Sequence, residues 1–438
     1  MMSALVAALP ALAQGQVQQV DDTMHLTLAE ARVAALRTNP ALAAIRLDTS
    51  AARGELRQSS LFFANNPTVD VLGASGGNGV EAGISQQIEV FGQQSARAAA
   101  GRAGLARARA RVSDATRLTI GSVDQSFYQL YSAIRRSSLA DEVLELTTRI
   151  ADVARRQLSA GEISRLDFNL ASVELGRTRA RSLIARRERE DAAIELRRLL
   201  GLKLPVPIVP TLDSIDAVAP HDTAEVAPEI DGSSASLMDS VVPRLRLDLD
   251  SLTALALANR PDLVERDAAT RQAEALASTA SREALPNLTA RGVSEPRDDG
   301  TGRVFRPGIG ITVPLFNRNR GRIQALKATA RQAELDRESV AQRIRAEVRE
   351  IFTAFVAAST EVQVLQSTVL APARQNRQLV EIAYREGKVG LPELLLIRNQ
   401  AIDAELEYWT AWLTERQALA ALAQTTGTNL EPFERVQP

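Results

Sequence analysis

The chain contains no cysteine. That absence excludes disulfides, thiolate metal sites and cysteine nucleophiles. Only two histidines occur, His25 and His221. They are far apart and lack metal-ligand spacing, so both are expected as solvated loop residues. No run of ~18 or more apolar residues exists to make a transmembrane helix. The formal net charge is -1, so nothing global points to nucleic acid. No Walker, Gly-x-Ser-x-Gly or His-Glu-x-x-His pattern occurs, and neither a catalytic, a cofactor nor a metal site is expected. The chain therefore does not read as an enzyme. Aromatic residues are 4% of the total.

What the chain has in abundance is the palette of long helices: alanine, leucine, arginine, glutamate and glutamine. With 438 residues, 45% of them hydrophobic, it can bury a core. Ala4 to Leu12 is a short apolar run, and Ala11-Leu12-Ala13 fits a small-x-small cleavage site. Residues 1–13 are therefore expected to be the remnant of a secretory signal, its basic part lying upstream of Met1.

The chain repeats itself. LTLAEARVAALRTNPAL at 26–42 aligns without a gap on LDLDSLTALALANRPDL at 247–263. Both carry a short helix that stops before a proline, Pro40 or Pro261, because proline lacks an N–H and disfavours helix just upstream. Further on, Gly83-Ile84 and Phe91 fall opposite Gly308-Ile309 and Phe316. Gly161 falls opposite Gly387. Residues 26–201 and 247–427 are thus expected to be two copies of one unit. Between them, 202–246 is proline-rich and acidic, which reads as a linker rather than a core element. Residues 428–438 read as a tail.

Each copy changes period inside. Val80, Ala82, Ile84, Gln86, Ile88 and Val90 share one face of an alternating run, and Glu81, Gly83, Ser85, Gln87 and Glu89 share the other. In the second copy Phe305, Pro307, Ile309, Ile311 and Val313 alternate with Arg306, Gly308, Gly310 and Thr312. Alternation over ~10–12 residues with one apolar face is the signature of a transmembrane β-strand. Strands are expected at about 66–75, 79–91, 285–295 and 303–316. Ile84, Ile88, Val90, Ile309, Ile311 and Val313 are expected to face lipid. The glycine-rich turns between strands lack the Lys-Ser/Thr of a phosphate loop.

After each strand pair comes a long helical stretch. Gln94 to about Ser159 contains no proline, and Ile120, Val123, Phe127, Leu130 and Ile134 step by three and four. A second run, Leu139, Val143, Leu146, Ile150 and Val153, follows a phase slip. Ile344 to Val369 keep the same stepping in the other copy, as do Ile402, Leu406, Trp409 and Leu413 in its return helix. Some 65 residues of helix span on the order of 100 Å. Each long helix turns back at a glycine, and the helix before the strands and the returning helix are together long enough to lie end to end beside it.

Four strands cannot close a barrel, and an open sheet would leave unpaired backbone groups in lipid. If these strands lie in a membrane, copies must join. Two would give eight strands, a barrel filled by side chains; three give twelve and a passage. Three is the expectation.

This order of elements, done twice, resembles the TolC-like outer-membrane efflux family across residues 26–427. The resemblance includes REGKVGLPELL at 385–395. ISQQIEVFGQQ at 84–94, with Asn66-Pro67, looks closest to the branch that serves heavy-metal pumps of the resistance-nodulation-division type (cobalt, zinc, cadmium or copper export). The family implies a mainly α fold with a membrane β-barrel: a homotrimeric channel-tunnel in the outer membrane with a periplasmic helical tube. It also implies a periplasmic membrane-fusion adaptor, an inner-membrane pump and contact with outer-membrane lipid. By resemblance, the adaptor-docking tip is Gly161, Glu162, Ile163, Ser164, Gly387, Val389, Gly390 and Leu391. The periplasmic gate candidates are Asp167, Tyr384 and Glu393 at matching places, with Arg385, Glu386 and Lys388 as substitutes where the pattern departs; Tyr384 reads more readily as a packing residue, and Glu393 equally as an acid that opens a helix. Leu396 departs from the pattern where a second acid is often found, and Val389 where a basic link can occur. Competing readings are a drug-efflux or type I secretion duct of the same fold, a soluble periplasmic coiled-coil scaffold or adaptor, and an exported helical binding protein or enzyme.

Overall fold

A computed structural model describes residues 23–73, 80–202, 206–212, 248–297, 301–314 and 316–427. The expected signal remnant, most of the 202–246 segment, His221 and the C-terminal tail lie outside the described residues.

The chain opens with β1 (Met24–Leu26), α1 (Leu28–Thr38) and α2 (Pro40–Ser59). Thr27 caps α1 in a reciprocal box with Glu30. Asn39 ends α1 and caps α2, its side chain accepting from the Ala41 and Leu42 amides. Pro40 occupies the first turn of α2, where its missing N–H costs nothing. Strands β2 (Thr68–Gly73) and β3 (Val80–Ile88) follow. Then comes α3 (Gln93–Ala160), 68 residues long, and α4 (Arg165–Leu199).

After β4 (Ile208–Pro210), the order recurs: α5 (Leu249–Asn259), α6 (Pro261–Glu283), β5 (Asn287–Pro296), β6 (Arg303–Thr312), α7 (Arg320–Val364), a π-helical turn at Leu365–Leu370, α8 (Ala371–Arg385) and α9 (Leu391–Thr426). Asp248 stands at the cap of α5 as Thr27 does at α1, accepting from the Ser251 amide. Arg260 stands where Asn39 stood. It forms ion pairs with Asp262 at 2.8 Å and Glu347 at 2.7 Å while itself almost fully buried.

The helices pack as a wall. Helix α3 lies against α2 and α6 along its first part and against α4 and α9 beyond. Helix α6 lies against α7, and α9 packs on α7 and α8. At ~1.5 Å per residue α3 alone spans roughly 100 Å.

Three apolar clusters hold this wall. The largest joins α1, α3, α4 and α9 through Phe127, Leu130, Leu196, Tyr408 and Trp412. Three of the four tyrosines and both tryptophans pack ring against ring there, edge to face or tilted. A second cluster joins α5, α7 and α9 around Ile344 and Val348. The third sits at the far end, where α3, α4, α8 and α9 meet around Ala154, Ala171, Val380 and Leu394.

Several details depart from the sequence reading. Ile208–Pro210 is no linker: it pairs in parallel with Met24–Leu26, and Ile208 is buried in the largest cluster. His25 is an exposed strand residue rather than a loop residue. In the lower part of α3 the small residues Thr147, Ala151 and Ala154 are buried, whereas Val153 is exposed. Small side chains let helix backbones approach, so they take the inner line and the bulky ones flank it. In the second copy the helical phase slips at the π turn, and Leu370 is buried in place of Val369. Pro372 lies just beyond; it has no N–H to give the preceding turn, and a wider turn relieves the loss.

Candidate functional site

Strands β2, β3, β5 and β6 form one antiparallel sheet in that order, each paired with the next. The register aligns the two faces of all four. Val69 stands opposite Ile84, Ile84 opposite Gly292, and Gly292 opposite Pro307. One residue row over, Ala290 faces Ile309 and Leu288 faces Ile311. Side chains alternate along a strand. The face holding Val69, Val71, Ile84, Phe305, Ile309 and Ile311 is therefore mainly apolar, interrupted by Gln86, Ser294 and Arg303, and each of the six is at least half exposed. The reverse face holds Asp70, Gly83, Ser85, Gln87, Thr289, Arg291, Glu295, Arg306, Gly308 and Gly310. On it Arg306 pairs with Glu295 at 2.6 Å.

A sheet that turns its apolar side outward and its polar side inward is the inverse of a soluble sandwich layer and fits a wall between hydrocarbon and a watery lumen. Ile84, Ile309 and Ile311 lie on the apolar face; Ile88 shares it, half-buried beside Leu288. Val90 and Val313 do not belong to strands: β3 ends at Ile88 and β6 at Thr312. Gly92, at φ 76°, turns the chain into α3, and Pro314 has no donor to continue β6. Both valines remain exposed beside the sheet. The outer edges of β2 and β6 have no partner strand among the described residues.

Where the strands meet the helices, four phenylalanines stand exposed: Phe62, Phe63, Phe91 and Phe316, the last completely. Exposed rings beside an apolar sheet fit an interfacial aromatic band; in the sequence Phe91 and Phe316 stand out only as repeat landmarks.

At the opposite end of the wall lie the two glycine turns. Gly161 and Gly387 both adopt positive φ, 75° and 72°, and end α3 and α8. Gly161, Glu162, Ser164, Gly387 and Gly390 are exposed there. Ile163 and Val389 instead pack against the third cluster, and Leu391 is buried in it. Ser164 caps α4 in a reciprocal box with Asp167, whose Oδ2 accepts from the Ser164 hydroxyl at 2.7 Å and amide at 3.3 Å. Tyr384 packs on the same cluster. Arg385 donates to the Glu381 carbonyl, and Glu386 pairs with Lys388 at 2.6 Å. Glu393 lies in the first turn of α9, where an acid is favoured by the helix dipole. Leu396 is exposed.

Sequence reasoning missed the charges just above this tip. Arg398 is almost fully buried, its nearest carboxylate oxygen being that of Glu381 at 3.9 Å. Burial pushes its guanidinium pKa down; Glu381, Glu174 and Glu142 counter this without cancelling it. Glu405 pairs with Arg374 at 3.0 Å beside it. Their positions on helix seams were the available signal.

No group of His, Cys, Asp or Glu placed to hold a metal occurs among the described residues, and no described helix is long and apolar enough to cross a membrane. A two-faced sheet at one end of a long helical wall defines a channel protein of the outer membrane. The family model of outer membrane efflux proteins matches residues 31–202 and 252–428, and the chain belongs to that family. It is the outer-membrane channel component of a tripartite efflux system, with a helical part in the periplasm.

The chain is 25% identical over 390 residues to the cobalt-zinc-cadmium resistance protein CzcC of Cupriavidus metallidurans, covering 87% of this chain and 85% of that one. Its fold resembles CusC, whose crystal structures concern folding and transmembrane channel formation, with a TM-score of 0.72, 17% identity and 92% of each chain covered. It also resembles the open state of the MtrE outer membrane channel of Neisseria gonorrhoeae, with a TM-score of 0.68, 22% identity, and 92% and 89% covered.

Proposed function

We propose that three copies of this chain assemble into a twelve-stranded barrel continued by a helical tube, and that this duct passes heavy-metal cations out of the cell. The observation that supports assembly is the four-stranded sheet with two unpaired edges and one apolar face. In hydrocarbon each unpaired backbone group costs several kcal/mol, so β6 of one copy must pair with β2 of the next. The matching caps at Thr27 and Asp248 and the recurring element order support two copies of one unit, 26–201 and 247–427, within each subunit.

The cargo reading is supported by the likeness to CzcC over most of both chains. The duct is passive. An inner-membrane, proton-driven resistance-nodulation-division pump supplies the work, and a periplasmic adaptor seats on the exposed tip residues Gly161, Glu162, Ser164, Gly387 and Gly390. Ile163, Val389 and Leu391 brace that tip from within. Asp167, Tyr384, Arg385, Glu386 and Glu393 form the gate across neighbouring subunits. Membership of the efflux family removes the soluble scaffold as an alternative.

The test is deletion of the gene in its host. The expected result is sensitivity to cobalt, zinc, cadmium or copper salts, restored by the intact gene. Unchanged metal tolerance with new sensitivity to organic drugs, or with loss of a secreted protein, would transfer the duct to those cargoes instead.

A further inference from the structure

The connection from β6 to α7 carries three arginines and no acid between Thr312 and Ile323. Asn319 sits there at φ 56°, the one non-glycine residue at positive φ among the described residues. Its amide donates to Asn317 Oδ1 and its side-chain nitrogen to the Ala280 carbonyl, both at 3.1 Å, which pins the turn to the end of α6. Asparagine tolerates the left-handed region, and these two bonds fix it there. It presents Phe316, fully exposed, followed by Arg318 and Arg320, also exposed. Arg322 is paired with Glu283 at 3.0 Å. Arg318 and Arg320 have no ion pair or hydrogen bond among the described residues.

The equivalent turn in the first half has the same aromatic residue and none of the free charge. Phe91 is exposed there, but the nearby Arg97 is engaged by Glu89, and Arg282 donates to the Phe91 and Gly92 carbonyls. The free cations are thus confined to one of two otherwise matching turns. That turn continues directly from the apolar strand residues Ile309 and Ile311. Beyond β6 the chain passes Phe316, and Arg318 follows it by at most ~7 Å of chain. A headgroup layer is ~5–8 Å thick on each side of the hydrocarbon.

We propose that Arg318 and Arg320 bind the phosphate of anionic glycerophospholipids in the periplasmic leaflet of the outer membrane, with Phe316 seated at the acyl boundary, giving three such sites per trimer. Guanidinium groups match phosphate in planar, paired hydrogen bonds. An aromatic ring prefers the interface, and a basic residue beside it adds attraction only toward a negative surface. The inference rests on the apolar sheet face meeting lipid, and the test separates the two.

The trimer is reconstituted in nanodiscs of equal phosphatidylglycerol and phosphatidylcholine, and the lipids retained on it are counted by native mass spectrometry. Phosphatidylglycerol is expected to be enriched about threefold or more, as two unpaired cations at an anionic surface require. Arg318→Gln with Arg320→Gln is expected to bring the ratio to parity while trimer mass and thermal unfolding stay unchanged. Enrichment that survives the double substitution, or is missing from the native protein, overturns the proposal. A second variant, Phe316→Trp, reports on insertion itself. The two native tryptophans, Trp409 and Trp412, lie in the largest helical cluster, roughly 50 Å along the tube. Acyl-brominated lipid is expected to quench the new fluorescence whatever its headgroup. No quenching would sink the lipid-facing sheet as well as the proposal.

Discussion

The carboxylate of Asp167 closes back on Ser164, taking the hydroxyl and the amide of that residue with one oxygen, Oδ2. Its other oxygen makes no hydrogen bond within the described residues. In the proposed gate the same acid would cap α4 and bridge to a neighbouring subunit, and two substitutions separate these roles. Ser164→Ala removes the cap at a cost of ~1 kcal/mol and leaves the carboxylate. Amide exchange at the tip should rise while planar-bilayer conductance holds. Asp167→Ala should raise both. Unaltered conductance in Asp167→Ala would confine this acid to capping.

The two faces of β6 predict opposite tolerance to the same charge. Ile309→Arg places a cation on the apolar face and should cost ~2–4 kcal/mol near the bilayer midplane, seen as lost trimer in membrane fractions. Gly310→Arg points to the reverse face, where a Cβ meets nothing nearer than Thr289 at 3.9 Å. It should assemble and alter ion selectivity instead. Equal assembly of both variants would refute the assignment of faces.

The tip glycine Gly390 has ordinary backbone geometry, and a Cβ there would meet Pro392 at 3.5 Å, an ordinary contact. Gly390→Asp should therefore fold and trimerise. It should abolish export by placing charge where the adaptor seats. Normal metal resistance in that strain would remove the docking surface from this turn.

Deep in the wall, Arg32 holds Asp124 through two bonds, at 2.7 and 3.0 Å, and Asp124 is 2% exposed. Asp124→Ala strands a largely buried guanidinium, and breaking such a pair costs about 3–5 kcal/mol. Thermal unfolding of the purified protein should show it.

Burial pushes the Glu415 carboxyl above its ordinary range; Arg416 and a bond from Ser359 oppose this without cancelling it. A raised folded pKa means the fold disfavours the charged form. The resulting penalty is absent at low pH, grows as pH rises from the unfolded toward the folded pKa, and is complete above both. Glu415→Gln should raise the Tm at neutral pH and give no gain at about pH 4. A gain independent of pH would assign the effect to packing.

Much of this architecture was legible because long elements carry their period many times over. The 68 residues of α3 and the alternation through β3 and β6 repeat their pattern until chance is a poor account. Short or interrupted features were not. Strands β1 and β4 are three residues each, too few to show a period, and β4 hides among prolines. The strand ends ran too far because Val90 and Val313 continue the alternation past a glycine and a proline that stop the sheet. The phase slip at Leu365–Leu370 was signalled only by Pro372. At the tip, spacing located the glycines but not the depth of each side chain. Leu391 and Val389 share a motif with Gly390 yet turn inward to the third cluster. Arg398 was invisible as a buried charge because its burial needs all four helices at once.

The joining of β6 in one copy to β2 in the next is tested most directly by cysteine cross-linking, for which the chain supplies a cysteine-free background. Val71→Cys on β2 is combined in turn with Phe305→Cys, Pro307→Cys and Ile309→Cys on β6, and each double variant is oxidised in the membrane. One register should give a ladder of one, two and three chains on denaturing gels and nothing larger. A ladder that stops at two, or no cross-link at any register, would contradict the twelve-stranded trimer.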